Sequence, residues 1–180
     1  LLKKIEIGIV KKQDILENLA NSAYLAIGSN LGNKVRNIEI TKFELEKYKI
    51  KILKSSSNYI SESWPDTSKP NYINIVIKIK TNLTPLALLK ICNLIELKLG
   101  RVRSKKNEPR SCDIDIIDFD EKIVEEDILT LPHPRLSKRN FVLLPLFEIN
   151  KSWIHPESKI NIVKLINSLP IKDLRSIKQI

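Results

Sequence analysis

A chain of 180 residues, 42% hydrophobic and 29% charged, is globular rather than disordered and is most simply a single folding domain with a substantial core. Lysine and arginine outnumber aspartate and glutamate by 31 to 21, a formal charge of +10 that favours anionic partners such as nucleotides, nucleic acid or a membrane surface, although a lysine-rich solvated surface accounts for it equally. Two cysteines are too few for a disulfide framework or a zinc site, and no apolar run approaches the ~18 residues of a membrane span, so the expectation is a soluble protein of a reducing compartment, the cytoplasm.

Residues 1–22 read as an N-terminal extension, with a short strand over 5–10 and a helical turn over 14–19, set apart from a domain covering 23–180. The opening apolar stretch is broken by Glu6 and is too short for a signal peptide. The chain starts with leucine and contains no methionine, which suggests processing or a piece of a longer protein. The spacing predicts a first strand over 23–27, halted by Gly28-Ser29-Asn30-Leu31-Gly32. That run lacks the Lys-Ser/Thr of a Walker A loop and is not G-x-G-x-x-G, so it is read as a tight turn. A helix follows, N-capped by Asn33, with Val35, Ile38, Leu45 and Tyr48 near one face. A strand region over 50–59 leads to a polar loop over 61–71, and alternation over 72–80 marks a clear strand. Thr84-Pro85 opens a second helix that Gly100 closes. A basic loop over 101–108 enters the strand that begins near Cys112. Beyond it come Leu131-Pro132-His133-Pro134-Arg135, a helix over 140–147 and a last helix over 160–169. The order β-α-β-β-α-β with a C-terminal appendage predicts an α+β ferredoxin-like sandwich.

Chemistry concentrates in Pro109-Arg110-Ser111-Cys112-Asp113-Ile114-Asp115-Ile116-Ile117. In a strand, Asp113 and Asp115 project from one face while Cys112, Ile114 and Ile116 take the other. Two carboxylates on one face repel unless a cation lies between them, and oxygen ligands of this kind suit Mg²⁺ shared with substrate phosphates. The solvated side of an edge strand is the alternative. Arg101, Arg103 and Arg110 flank the strand as guanidinium clamps for phosphate oxygens, or as a surface basic cluster. Tyr72 and Asn74 share a strand face, an aromatic plane beside an amide that suits a flat heterocycle or ordinary sheet packing. Asn93 and Glu96 share a helix face that is either wet surface or site wall. His133, held between two prolines, is read as a positioning group or a structural one rather than a general base.

Five blocks in order carry a resemblance: residues 24–32, 71–74, 109–116, 132–136 and 139–146. They resemble the 6-hydroxymethyl-7,8-dihydropterin pyrophosphokinases of folate biosynthesis, and the similarity runs from about residue 23 to 169, including Trp153-Ile154-His155-Pro156. The resemblance implies a ferredoxin-like fold, two Mg²⁺ ions, and transfer of pyrophosphate from ATP to the pterin hydroxymethyl group with release of AMP. By that similarity Asp113 and Asp115 would hold both metals. Tyr72 and Phe141 would flank the pterin ring, and Asn74 with Ser61, Glu62, Ser63 and Trp64 would read its polar edge. Arg101 and Arg110 would handle phosphates during transfer, with Arg110 also near the pterin. Asn93, Arg103, Ile116, Thr130, His133 and Arg139 would line the ATP site.

The chain departs from that family in four places. Asn107-Glu108 stand where a tryptophan and a glycine are usual, in a loop one residue shorter, and Ser61-Glu62-Ser63-Trp64 replaces a threonine- and proline-rich segment. Trp64 is expected to supply some of the missing aromatic cover. Cys112 stands for a leucine, and Asp118 occupies a commonly apolar position. Three other readings remain open: a ferredoxin-like RNA-binding module, a catalytically impaired pterin- or nucleotide-binding relative, and one module fused to or associated with another folate-pathway enzyme. The missing RNP1-like aromatic strand speaks against the first, so nucleic acid and membrane are not expected partners.

Overall fold

The computed structural model describes residues 21–63, 66–101 and 108–180. The strand and turn expected within the first twenty residues, Trp64, Arg103 and most of the loop over 101–108 lie outside the described residues. The sequence reading of an α+β ferredoxin-like sandwich holds. Strand β1 (Asn21–Ser29) lies between β4 (Tyr72–Thr81) and β5 (Asp113–Phe119), antiparallel to both. Strands β2 (Lys51–Ser55) and β3 (Tyr59–Ser61) both pair with β4. The sheet order is β5-β1-β4-β3-β8, where β8 (Lys178–Gln179) extends the sheet beyond β3.

Helices α1 (Lys34–Lys47) and α2 (Pro85–Lys98) cover one face of the sheet. Each begins where a side chain accepts an orphan N–H: Asn33 from Arg36, Thr84 from Ala87. The buried stripe of α1 is Ile38, Thr41, Glu44 and Leu45, whereas Val35 and Tyr48, expected on that face, are exposed. Thr41 turns inward because its hydroxyl donates to the Asn37 carbonyl and contacts Cys112 Sγ at 3.2 Å. Glu44 does so because Lys47 and Lys98 neutralise it at 2.9 and 2.7 Å. The region expected to form one strand over 50–59 is divided at Ser56, which donates N–H to Val76 O and accepts the Val76 N–H on Oγ.

The second face carries α3 (Asn140–Ile149) and α4 (Ile162–Asn167), whose side chains form a core with Tyr24, Val76, Ile117 and Trp153. Glu148 of α3 fastens this layer to the sheet by accepting from Ser57 N–H, Ser57 Oγ and Tyr59 Oη. Three small elements have no clear sequence signal: the hairpin β6 (Val124–Glu126) and β7 (Leu129–Leu131), and α5 (Ile171–Arg175). The expected last helix over 160–169 is shorter, as α4, and Asn161 caps it.

Strand β5 sets the two faces. Ile114 pairs with Ile27 and Ile116 with Leu25, after which the register shifts so that Tyr24 meets Asp118. The extra residue, Ile117, makes a bulge. Ile114, Ile116 and Phe119 therefore enter the core beneath α1 and α2, while Ile117 enters the α3 core. Asp118, buried on that side, accepts from Trp153 Nε1 at 2.8 Å and from Glu121 N–H at 3.0 Å. Among the described residues no helix is long and apolar enough to cross a membrane.

Candidate active site

Helix α3 covers only the end of the second face that holds Tyr24, Val76 and Ile117. At the other end Gly28 pairs with Asn74 on one side and Asp113 on the other. Side chains opposite one another in a ladder share a face, so Asp113 and Asn74 flank Gly28, with Asp115 and Tyr72 two positions along their strands. A Cβ on Gly28 would lie 2.9 Å from Asn74 Oδ1 and 3.4 Å from Tyr72 Cδ1. Glycine is needed there for space rather than for conformation, because Gly32 and Gly100 are the described glycines at positive φ. The tight-turn reading is therefore right for Gly32, while Gly28 belongs to β1.

The two carboxylates are partly exposed, Asp113 at 29% and Asp115 at 32%, and each faces basic side chains. Asp113 Oδ1 takes Arg101 Nη1 at 2.7 Å and Arg110 Nη1 at 3.0 Å. Asp115 Oδ2 takes Arg139 Nη1 at 2.7 Å and faces His133 Nε2 at 3.6 Å. Burial holds His133 below its ordinary pKa despite Asp115, and its Nδ1 accepts from Arg135 N–H. The neutral ring thus carries its proton on Nε2, directed toward Asp115. This fits a positioning group.

Around this centre Asn74 is buried and its Nδ2 donates to Ser61 Oγ at 2.9 Å. Ser63 is buried too, donating to Pro70 O, and Glu62 is exposed. Burial raises the pKa of the Tyr72 hydroxyl, and the neighbouring Arg110 guanidinium opposes that rise. Phe141, in the first turn of α3, is half-buried, with Arg139 Cζ 5.4 Å from its ring centroid. Thr130 is exposed on β7, opposite Glu125. Asn93 is half-buried on α2. The Ile116 side chain points to the opposite face, into the helix-covered core, which leaves its backbone on edge strand β5.

Two further residues build the site. Asn30, 2% exposed, accepts the Arg110 N–H on Oδ1 at 2.7 Å, and its own N–H donates to Arg110 O at 3.1 Å. Its Nδ2 reaches Ser63 Oγ and Pro70 O, each at 3.3 Å. One asparagine thereby joins the Arg110 segment to the loop after β3. Glu96, also 2% exposed, accepts the Ile114 N–H at 2.8 Å and pairs with Arg101. The sequence placed Glu96 on a face with Asn93, but only the fold supplies its partners. Asn30 lies within a run whose glycines drew attention to turn geometry instead.

An aromatic and an amide beside two carboxylates and three guanidinium groups can receive a planar polar heterocycle next to a polyphosphate. Residues 24–151 match the family model described as 7,8-dihydro-6-hydroxymethylpterin-pyrophosphokinase (HPPK). The chain is 37% identical to the 2-amino-4-hydroxy-6-hydroxymethyldihydropteridine pyrophosphokinase of Aquifex aeolicus, over 75% of this chain and 84% of that protein. It is 34% identical to the folic acid synthesis protein fol1 of Pneumocystis carinii, over 93% of this chain and 22% of the relative. The chain spans about a fifth of the length of the folic acid synthesis proteins it matches, at 22%, 21% and 23%. The crystal structure of wild-type Plasmodium falciparum HPPK-DHPS superposes with a TM-score of 0.67 at 15% identity, over 89% of this chain and 44% of that one, a likeness of fold.

Proposed function

Because the chain belongs to the HPPK family, we propose that it transfers pyrophosphate from ATP to the hydroxymethyl group of 6-hydroxymethyl-7,8-dihydropterin and releases AMP, a step of folate biosynthesis. In this transfer the pterin hydroxyl oxygen bonds to the β-phosphorus of ATP, and the bond from that phosphorus to the α-phosphate oxygen breaks. The observation that carries the reading is the pairing of Asp113 and Asp115 on the open face, across Gly28 from Asn74 and within reach of Arg101, Arg110 and Arg139.

The donor set fits Mg²⁺. It is oxygen-only, and among the described residues no group of three or more His, Cys, Asp or Glu could hold a metal by itself. An ion held here would complete its shell with water and substrate phosphates, the habit of Mg²⁺. Asp113 and Asp115 would hold two such ions, whose charge offsets that of the phosphates and of the attacking and leaving oxygens. The chain's own groups position the reactants. Tyr72 and Phe141 bracket the pterin ring, and Asn74 with the backbone of residues 61–63 reads its polar edge. Arg101 and Arg110 receive phosphate oxygens. Asn93, the Ile116 backbone, Thr130, His133 through Nε2–H, and Arg139 line the nucleotide side.

The partners are these two small molecules. Similarity to longer folic acid synthesis proteins supports a place within, or beside, a larger folate-pathway enzyme. The free thiols of Cys92 and Cys112 support a reducing, cytoplasmic setting. The test is to incubate the protein with ATP, Mg²⁺ and the hydroxymethyl-dihydropterin and follow AMP. AMP forms only when pterin is present. ATP breakdown that ignores the pterin, or no AMP at all, overturns the reading.

A further inference from the structure

We infer that Glu96 is a positioning residue for the transfer step, holding Arg101 beside the phosphate site and pinning the edge of the strand that bears Asp113 and Asp115. The inference rests on the reaction proposed above. Its basis is a three-way junction. Glu96 stands on the last turn of α2, almost wholly buried, and Oε1 accepts the outward N–H of Ile114 at 2.8 Å. Ile114 lies between the two aspartates on an edge strand, so this bond fixes the level at which both carboxylates leave the sheet.

The same oxygen pairs with Arg101 Nη1, which also contacts Asp113 Oδ1 at 2.7 Å. One guanidinium nitrogen is therefore shared between a buried carboxylate and a partly exposed one. Sharing matters because Asp113 has a second task. With Asp113 as its only anchor, Arg101 would lose that anchor whenever the carboxylate engaged a cation, and its long side chain would regain several rotamers. Glu96 keeps one N–H tethered throughout and leaves the other donors of the planar fork for phosphate oxygens. A buried carboxylate is costly without partners, and burial raises the Glu96 pKa while the Ile114 N–H and Arg101 oppose that rise. Both features are what a fixed strut requires.

A two-background cycle tests the inference. Glu96→Gln keeps an oxygen for the Ile114 N–H and removes the charge that holds Arg101. In the wild-type background the variant should lower kcat by about tenfold or more, with the affinity for a nonhydrolysable ATP analogue, measured by calorimetry, changed by less than about twofold. In an Arg101→Ala background the same replacement should change kcat by less than about twofold, because residues acting through one another are non-additive. Amide exchange at Ile114 should stay protected in Glu96→Gln and become fast in Glu96→Ala. An equal loss of kcat in both backgrounds, or no loss in the first, overturns the inference. If the glutamine variant fails to fold, Glu96→Asp, which keeps the charge but withdraws it by one methylene, is read against the same criteria. Failure of the pterin pyrophosphokinase reading would show separately, as wild-type protein that makes no AMP.

Discussion

The open face depends on one missing methyl group. Asn74 is buried and tied to Ser61 Oγ at 2.9 Å, so it yields to a Cβ placed 2.9 Å from its Oδ1 only by disturbing that bond. Gly28→Ala should therefore displace the Asn74 and Tyr72 side chains, at an overpacking cost of about 1–3 kcal/mol. The pterin dissociation constant, measured by calorimetry, should rise by about tenfold, since that change equals 1.4 kcal/mol, while affinity for an ATP analogue moves by less than about twofold. Unchanged pterin affinity would show that these two side chains do not form the heterocycle's seat. The requirement cannot be read locally, because Gly28 meets Asn74 only through the β1–β4 register. The carboxylate pair was legible, since period-two alternation places Asp113 and Asp115 together wherever the strand lies. Their guanidinium partners were legible as types, though not as the contacts of Arg101 and Arg110 with Asp113 and of Arg139 with Asp115.

Elements differ in how far their signals are local. Helices α1 and α2 announce themselves through Asn33 and Thr84, whose side chains cap the helix they precede. The bulge at Ile117 does not, because it is a relation between strands, and it explains why an aspartate at 118 is tolerated: the extra residue turns Asp118 toward Trp153 Nε1. Trp153 and His155 form the turn between α3 and α4, with ring centroids 5.9 Å apart. His155 Nδ1 accepts from Glu157 N–H at 3.3 Å and Ser158 N–H at 3.2 Å, and burial holds its pKa below 6.5. The unfolded chain takes up a proton at 6.5 that the folded turn refuses, so this group makes stability fall as pH drops through 6.5. His133, with its pKa also lowered by burial, adds to the fall. Asp118 and Glu96 act in the opposite sense, because burial raises their pKa and the native state binds their protons first as pH falls. Urea unfolding of wild type and His155→Gln across this range separates the contributions, and the variant should show a shallower decline. Identical profiles would mean that His155 is as easily protonated folded as unfolded.

At the scale of the molecule, the β-α-β-β-α-β order was enough to predict which layers pack, because antiparallel ferredoxin-like sheets leave few ways to join such elements. The C-terminal appendage was less legible. Its strands are two or three residues long, and its helices draw their stability from the second face of the sheet rather than from intrinsic propensity. That appendage nevertheless makes the site, since α3 covers one end of the sheet and leaves the end with Asp113 and Asp115 accessible. The whole account turns on those two carboxylates acting on ATP. Single-turnover formation of AMP by wild type, Asp113→Asn and Asp115→Asn, each with pterin and Mg²⁺ and each verified as folded by circular dichroism, tests it most directly. Each variant should lose on the order of a hundred- to a thousandfold in rate with its unfolding midpoint little changed. AMP release at the wild-type rate from both variants would contradict it.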